Sequence, residues 1–200
     1  MKRFALAAGA LLAACATTGA KAPERGPGVA APDARSQVFP TDLRRTSLIV
    51  SSIEESLKFY RDILEFEVNY DAEVTMSGVA LPAGEPGAKA RLVLLSGNDP
   101  WVGWIGLLEW LDPPLDVPPP RTRMGIGDAV LVFNTEKVDS HCDAAAALPG
   151  IRMTAPASDT TYPGRAGGAP ITVRTCYLFD RDGYFVELNK VLDRDSYNAG

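Results

Sequence analysis

Between residues 41 and 190 the spacing of apolar positions switches from strand-like to helix-like twice. The apolar run Ser47 to Val50 reads as a strand. Ile53, Leu57, Tyr60 and Leu64 then fall on one face of a helix expected from Ser52 to about Leu64. Ser52 followed by Glu55 has the spacing of a capping box, in which each side chain serves a free backbone N–H. Strands are expected at Glu65 to Val74, Ala90 to Leu95 and Trp101 to Leu111, with a Gly- and Pro-bearing loop around Pro82 to Gly87. Pro113 to Pro120 interrupt the pattern, and it then begins again. Ala129 to Phe133 reads as a strand, Thr135-Glu136 opens a helix to about Ala147, and Pro149-Gly150 ends it. A short strand at Ile151 to Thr154 and two more at Thr172 to Phe179 and Tyr184 to Lys190 complete the second half, the last two joined by the tight turn Asp180-Arg181-Asp182-Gly183.

The order strand, helix, three strands is therefore repeated, in modules of about 43–112 and 126–190 within a domain of 41–190, leaving 191–200 as a tail. One such sheet cannot bury both faces alone, so the expected fold is α+β, with two βαβββ modules pairing into curved mixed sheets around a cleft. Two stretches carry a more specific signal: Ser52 to Leu64, reading SxxExSLxFYRDxL, and Asp180 to Leu188, reading DxDGxxxEL. In these the chain resembles the vicinal oxygen chelate superfamily, which holds the glyoxalases, the bleomycin resistance proteins and the extradiol dioxygenases. The resemblance covers Leu43 to Lys190, with two departures from its usual pattern. Arg181 stands where the family usually has Pro, and Glu65 where it commonly has Gly. If the backbone at Glu65 is left-handed, that residue carries a penalty that Gly would not.

The resemblance also implies where ligands lie. Metal-dependent members place a ligand, usually His, in the first strand of each half and a Glu in the last strand of one or both. Here the first position falls on Arg45, whose guanidinium cannot ligate, and the second falls between Asp128 and Val130. The family's glutamates correspond to Glu109 and Glu187. Arg45, Glu109, Asp128 and Glu187 are thus the candidate ligand-binding set, with no metal or other cofactor expected. Arg45 is expected to pair with Glu187 or Glu109, or else to hold an anionic ligand, with a solvent-facing position at the strand start as the remaining alternative. Strand parity sets Glu109 on the face opposite Trp104 and Trp110, and the tryptophans are expected in the core and a dimer interface, with the lining of a hydrophobic pocket as the alternative.

The start of the chain has a different character. Lys2 and Arg3 precede an apolar stretch, Phe4 to Ala14, that is too short to span a bilayer, so residues 1–14 read as a signal peptide. Leu12-Ala13-Ala14-Cys15 resembles a bacterial lipobox, which implies a lipidated Cys15. Residues 16–40, rich in Ala, Gly and Pro, read as a tether. The expected place is the cell envelope, at the outer membrane facing the periplasm. Removal of Lys2 and Arg3 leaves 18 basic against 25 acidic residues, or −7, which argues against nucleic acid as a partner. Arg121 and Arg123 read as part of a solvated linker.

Cys142 and Cys176 match no metal spacing. They are expected as buried free thiols, with a disulfide as the alternative in an exported domain. His141, the single histidine, is expected as a solvent-facing or partly packed helix residue. Ser158 to Gly168, with Tyr162 and Arg165, read as a long loop, suited to a lid or binding loop or equally to a disordered segment. The leading functional expectation is an envelope-anchored, metal-free protein that binds a small molecule. A lyase, isomerase or dioxygenase using Glu109 and Glu187, and a structural or partner-binding lipoprotein, are the alternatives; a homodimer stays open.

Overall fold

The computed structural model describes residues 41–119, 121–164 and 168–193. The first module contains β1 (Arg45–Ile49), α1 (Ile53–Tyr60), β2 (Glu67–Thr75), β3 (Lys89–Ser96) and β4 (Trp104–Asp112). The second contains β5 (Val130–Asn134), α2 (Val138–Ala147), β6 (Arg152–Tyr162), β7 (Ile171–Phe179) and β8 (Phe185–Val191). Each forms a four-stranded mixed sheet, ordered β1-β4-β3-β2 and β5-β8-β7-β6, with the first strand parallel to the last. This is the α+β architecture that the repeated pattern predicts.

The α1 stretch becomes a helix because its start is satisfied twice. Ser52 Oγ accepts the Glu55 N–H at 3.4 Å, and Glu109 Oε2, reaching from β4, accepts the Ile53 N–H at 2.7 Å. Only half of the capping box forms, since the Glu55 carboxylate turns to Lys58 instead. Glu65 follows the helix with φ 61°, the left-handed conformation. The α2 helix has no side-chain cap and is tied to β7 by a Cys142–Cys176 disulfide. That corrects the expectation of free thiols: packing α2 across β7 brings the two Cα atoms to 6.4 Å, within bonding reach.

Both modules feed one core. Leu48, Ile53, Phe59, Tyr60, Val93 and Leu107 pack with Leu131, Cys176, Leu178, Val186 and Leu188. A smaller cluster covers the other face of the first sheet, where Ala90, Leu108 and Trp110 lie under Ala83 and Leu115. Trp110 is core, as expected, whereas Trp101 is 59% exposed. His141 is buried on α2, its Nδ1 3.1 Å from Thr135 Oγ1, and burial lowers its affinity for a proton. The short strand expected near residue 151 extends to Tyr162, because Ser158 to Tyr162 pair with β7 instead of forming a loop. Arg165 lies outside the described residues, as does Cys15.

Candidate functional site

The two sequence stretches that carry the family resemblance meet in space, at the end of β1. Tyr60 donates its hydroxyl to Asp180 Oδ2 at 2.9 Å, joining α1 to the β7–β8 turn. Asp180 Oδ1 accepts the N–H groups of Asp182 and Tyr184 at 3.0 and 2.8 Å, which fixes the turn, and Gly183 supplies its left-handed residue at φ 87°. The turn then grips β1. Tyr184 Oη both accepts the Ile49 N–H and donates to the Ile49 carbonyl, each at 2.9 Å, and Asp182 Oδ1 accepts the Ser51 N–H at 3.0 Å. Burial pushes the Asp180 carboxyl up to about 6, against the pull of its three hydrogen bonds, and drives the Tyr60 hydroxyl well above its usual range.

Beside this joint lies a cavity of about 540 Å³. Its wall is made by Ser47, Ile49 and Ser51 of the first module, by Trp110, and by Phe179, Tyr184 and Phe185 of the second. The linker supplies Pro114 to Pro118, and the stretch before β5 adds Arg121, Met124 and Asp128. Trp110 is held against the loop after β2, where Gly84 sits at φ 65°; a Cβ there would fall 2.3 Å from the indole nitrogen, so only glycine admits the contact. Polar groups line the cavity as well, among them Ser47, Ser51, Arg121, Asp128 and Asp182. Asp128 accepts the Gly125 N–H at 2.8 Å and pairs with Arg121, and these two contacts lower its pKa. Arg181 reaches Glu55 at 3.4 Å.

The sequence-derived candidates are scattered about this site. Asp128 lines the cavity. Arg45 is the exposed first residue of β1, its side chain beside Gly106, while the donors to Glu109 and Glu187 are the Ile53 N–H and the Asn189 amide. Glu109 faces the helix side of its sheet, bound to the α1 N-terminus. Glu187 lies on the opposite face of β8 from the buried Val186 and Leu188, level with Val132 and Tyr177, and accepts the Asn189 amide at 3.0 Å. A divalent ion needs several oxygen or nitrogen donors converging on one point. Here the carboxylates of Glu109, Asp128 and Glu187 each already have a donor. Among the described residues no three His, Cys, Asp or Glu side chains are grouped to hold an ion, so the residues present do not fit the metal of the metal-dependent relatives.

Sequence reasoning missed the cavity residues Ser47, Ser51, Asp182 and Tyr184. The DRDG turn was legible, but not the strand that it would grip.

The family model of the Glyoxalase/Bleomycin resistance protein/Dioxygenase superfamily matches residues 42–188. The chain belongs to this superfamily. Among solved structures of the superfamily fold, a glyoxalase family protein from Bacillus cereus superposes with a TM-score of 0.58 at 16% identity, covering 80% of this chain and 99% of that one. The fosfomycin resistance protein FosX from Listeria monocytogenes, complexed with Mn(II) and sulfate, gives a TM-score of 0.42 at 17% identity, covering 76% and 93%. A glyoxalase-related enzyme from Fulvimarina pelagi gives 0.43 at 15% identity, covering 76% and 88%. No curated protein matches the chain significantly. With the Bacillus cereus protein the chain shares the glyoxalase-like fold.

Proposed function

We propose that this superfamily member is an envelope-anchored protein that binds a small molecule without a metal, in the manner of the bleomycin resistance proteins. The observation that carries the reading is the cavity of about 540 Å³ beside the module joint, lined by apolar and aromatic side chains together with charged groups, Arg121, Asp128 and Asp182 among them. Its size and lining suit a drug-sized, partly aromatic ligand. Among the described residues of its wall there is no nucleophile paired with a histidine or cysteine, since His141 is buried on α2 beside Thr135 and both cysteines are bonded to each other. Asp180, whose raised pKa would suit a general base, has its oxygens engaged by Tyr60, Asp182 and Tyr184. Export is supported by the signal-like start, the Leu12 to Cys15 stretch and the disulfide, which forms and persists in oxidising compartments.

The test uses the chain from residue 15 onward, purified without chelator. Metal content and melting are measured with Mg, Mn, Fe, Ni and Zn, and a library of aromatic small molecules is then screened by tryptophan fluorescence. The expected outcome is no bound metal and no metal-induced rise in melting. A ligand is expected to change the emission, and Ser47→Tyr, which fills the cavity from β1, should weaken it at least tenfold. A stoichiometric metal whose melting rise disappears in Glu187→Ala would overturn the proposal in favour of a metal-dependent lyase, isomerase or dioxygenase. No ligand from a broad library would favour the structural or partner-binding alternative.

A further inference from the structure

At the start of β1 and β4, next to the Thr46 end of the cavity, apolar and cationic side chains are held outward. Leu43 is 77% exposed and Trp101 59%, and the Arg44 guanidinium lies 4.0 Å from the Trp101 ring centroid and 5.9 Å from that of Trp104. This presentation is built into the backbone. Asp99 Oδ1 accepts the N–H groups of Trp101 and Val102 at 2.8 and 2.9 Å, and the Trp104 indole donates to the Asp99 carbonyl at 3.2 Å. The N–H groups of Gly103 and Trp104 bond the carbonyls of Leu43 and Arg44, locking the two segments side by side. An exposed tryptophan fixed by its own turn and stacked on arginine offers an amphipathic ring with a charged group beside it, the chemistry of the boundary between lipid headgroups and acyl chains.

We infer that the end of the domain formed by Leu43, Arg44, Trp101 and Trp104 rests on the lipid surface to which Cys15 is anchored. The inference depends on the reading of Cys15 as the anchor. Residues 16–40 join that point to Thr41, two positions before Leu43, and 25 residues reach about 85 Å at full extension. This end is therefore where the chain leaves the anchor and enters the fold. Charge agrees with the assignment: Asp42 and Asp99 balance Arg44 and Arg45, so the patch is close to neutral on a domain that is otherwise acidic. Burial of Leu43 and Trp101 then supplies the attraction, with weak dependence on salt. The cavity extends along β1 from Thr46 to Ser51, so its Thr46 end lies nearest the lipid, while its Trp110 wall, six residues or about 20 Å along β4 from Trp104, lies beyond the roughly 5–10 Å that an interfacial side chain enters.

The test separates docking from natural lipidation. With Cys142 and Cys176 bonded, the chain from residue 15 onward carries one free thiol, and coupling Cys15 to a maleimide lipid anchors it whether or not a cell would. Vesicles of phosphatidylethanolamine and phosphatidylglycerol carry a nitroxide high on the acyl chain. The expected result is quenching of tryptophan emission that is reduced in Trp101→Phe, which removes the more exposed of the two reporters in the patch, and disappears in Leu43→Glu, which keeps both but opposes insertion. Quenching no greater than in label-free vesicles, or unchanged in Leu43→Glu, overturns the proposal. Shielding of Trp101 from acrylamide without vesicles also overturns it, by pointing to a protein occupant such as a second copy. The mass of the Cys15 peptide from cell envelopes tests the anchor on its own.

Discussion

The two modules share one topology and are held together by different means. In the first, the sheet face away from the helix is closed: Trp110 is 3% exposed beneath Ala83 and Leu115. In the second, the first strand leaves that face open, with Val130 and Val132 46% and 54% exposed. The helices differ too. α1 has a capped start and an amphipathic face, whereas α2 has no side-chain cap and a covalent bond to β7. Repetition thus fixes the arrangement of strands and leaves each copy to find its own stability. The copy with the closed face also contributes the Trp110 wall of the cavity.

This contrast is most easily broken at the two sheet faces. Trp110→Ala should destabilise the domain by about 3–5 kcal/mol, because the closed cluster cannot refill the space, whereas Val132→Ala should cost about 0.5 kcal/mol. Urea denaturation checks both, and equal effects would abolish the distinction between the faces. Next comes the staple. Replacing both Cys142 and Cys176 by Ala should cost about 3–4 kcal/mol at their sequence separation of 34. Hydrogen exchange should report the loss first in α2, with α1 retaining its protection.

The joint between the modules gives a smaller, pH-dependent effect. The Asp180 carboxyl, pushed up to about 6 by burial, keeps its proton in the folded state between about pH 4 and 6, while the unfolded chain has already released it. Its stabilising contribution is therefore complete below pH 4 and is lost as pH rises through 6, about 2–3 kcal/mol in all. Comparing urea midpoints from pH 4 to 7 in wild type and Asp180→Asn isolates that slope; parallel profiles would show that Asp180 does not titrate in this window. The smallest effects compare equivalent positions after the two helices, Glu65 at φ 61° and Gly150 at φ 89°. Gly150→Ala should lower stability by about 1 kcal/mol, since its Cβ would also press 3.0 Å from that of Arg181. Glu65→Gly should raise the melting temperature slightly, the relief of left-handed strain being partly offset by glycine's greater freedom in the unfolded chain and by the lost Lys137 pair.

The two βαβββ modules, the Ser52 cap, the core face of Ile53, Leu57 and Tyr60, and the DRDG turn were all legible in the sequence, because each depends on spacing over a few residues. The facing of Glu109 was legible as well, from its parity relative to Trp110. The candidate site was legible only at Asp128. Counting along strands locates positions within one module, but the cavity is assembled from β1, the linker and a turn far along the chain.

The sequence by itself therefore determined the elements, their repetition and the superfamily, since backbone periodicity and turn chemistry are local properties. The tertiary structure alone decided that Tyr60 would meet Asp180, that Tyr184 would bind Ile49 across 135 residues, that Cys142 would bond Cys176, and that Glu109 would serve a helix N-terminus. Each of those contacts depends on how two surfaces distant in the chain pack against each other. The same packing brought the linker beside Trp110, and so set the size and lining of the cavity.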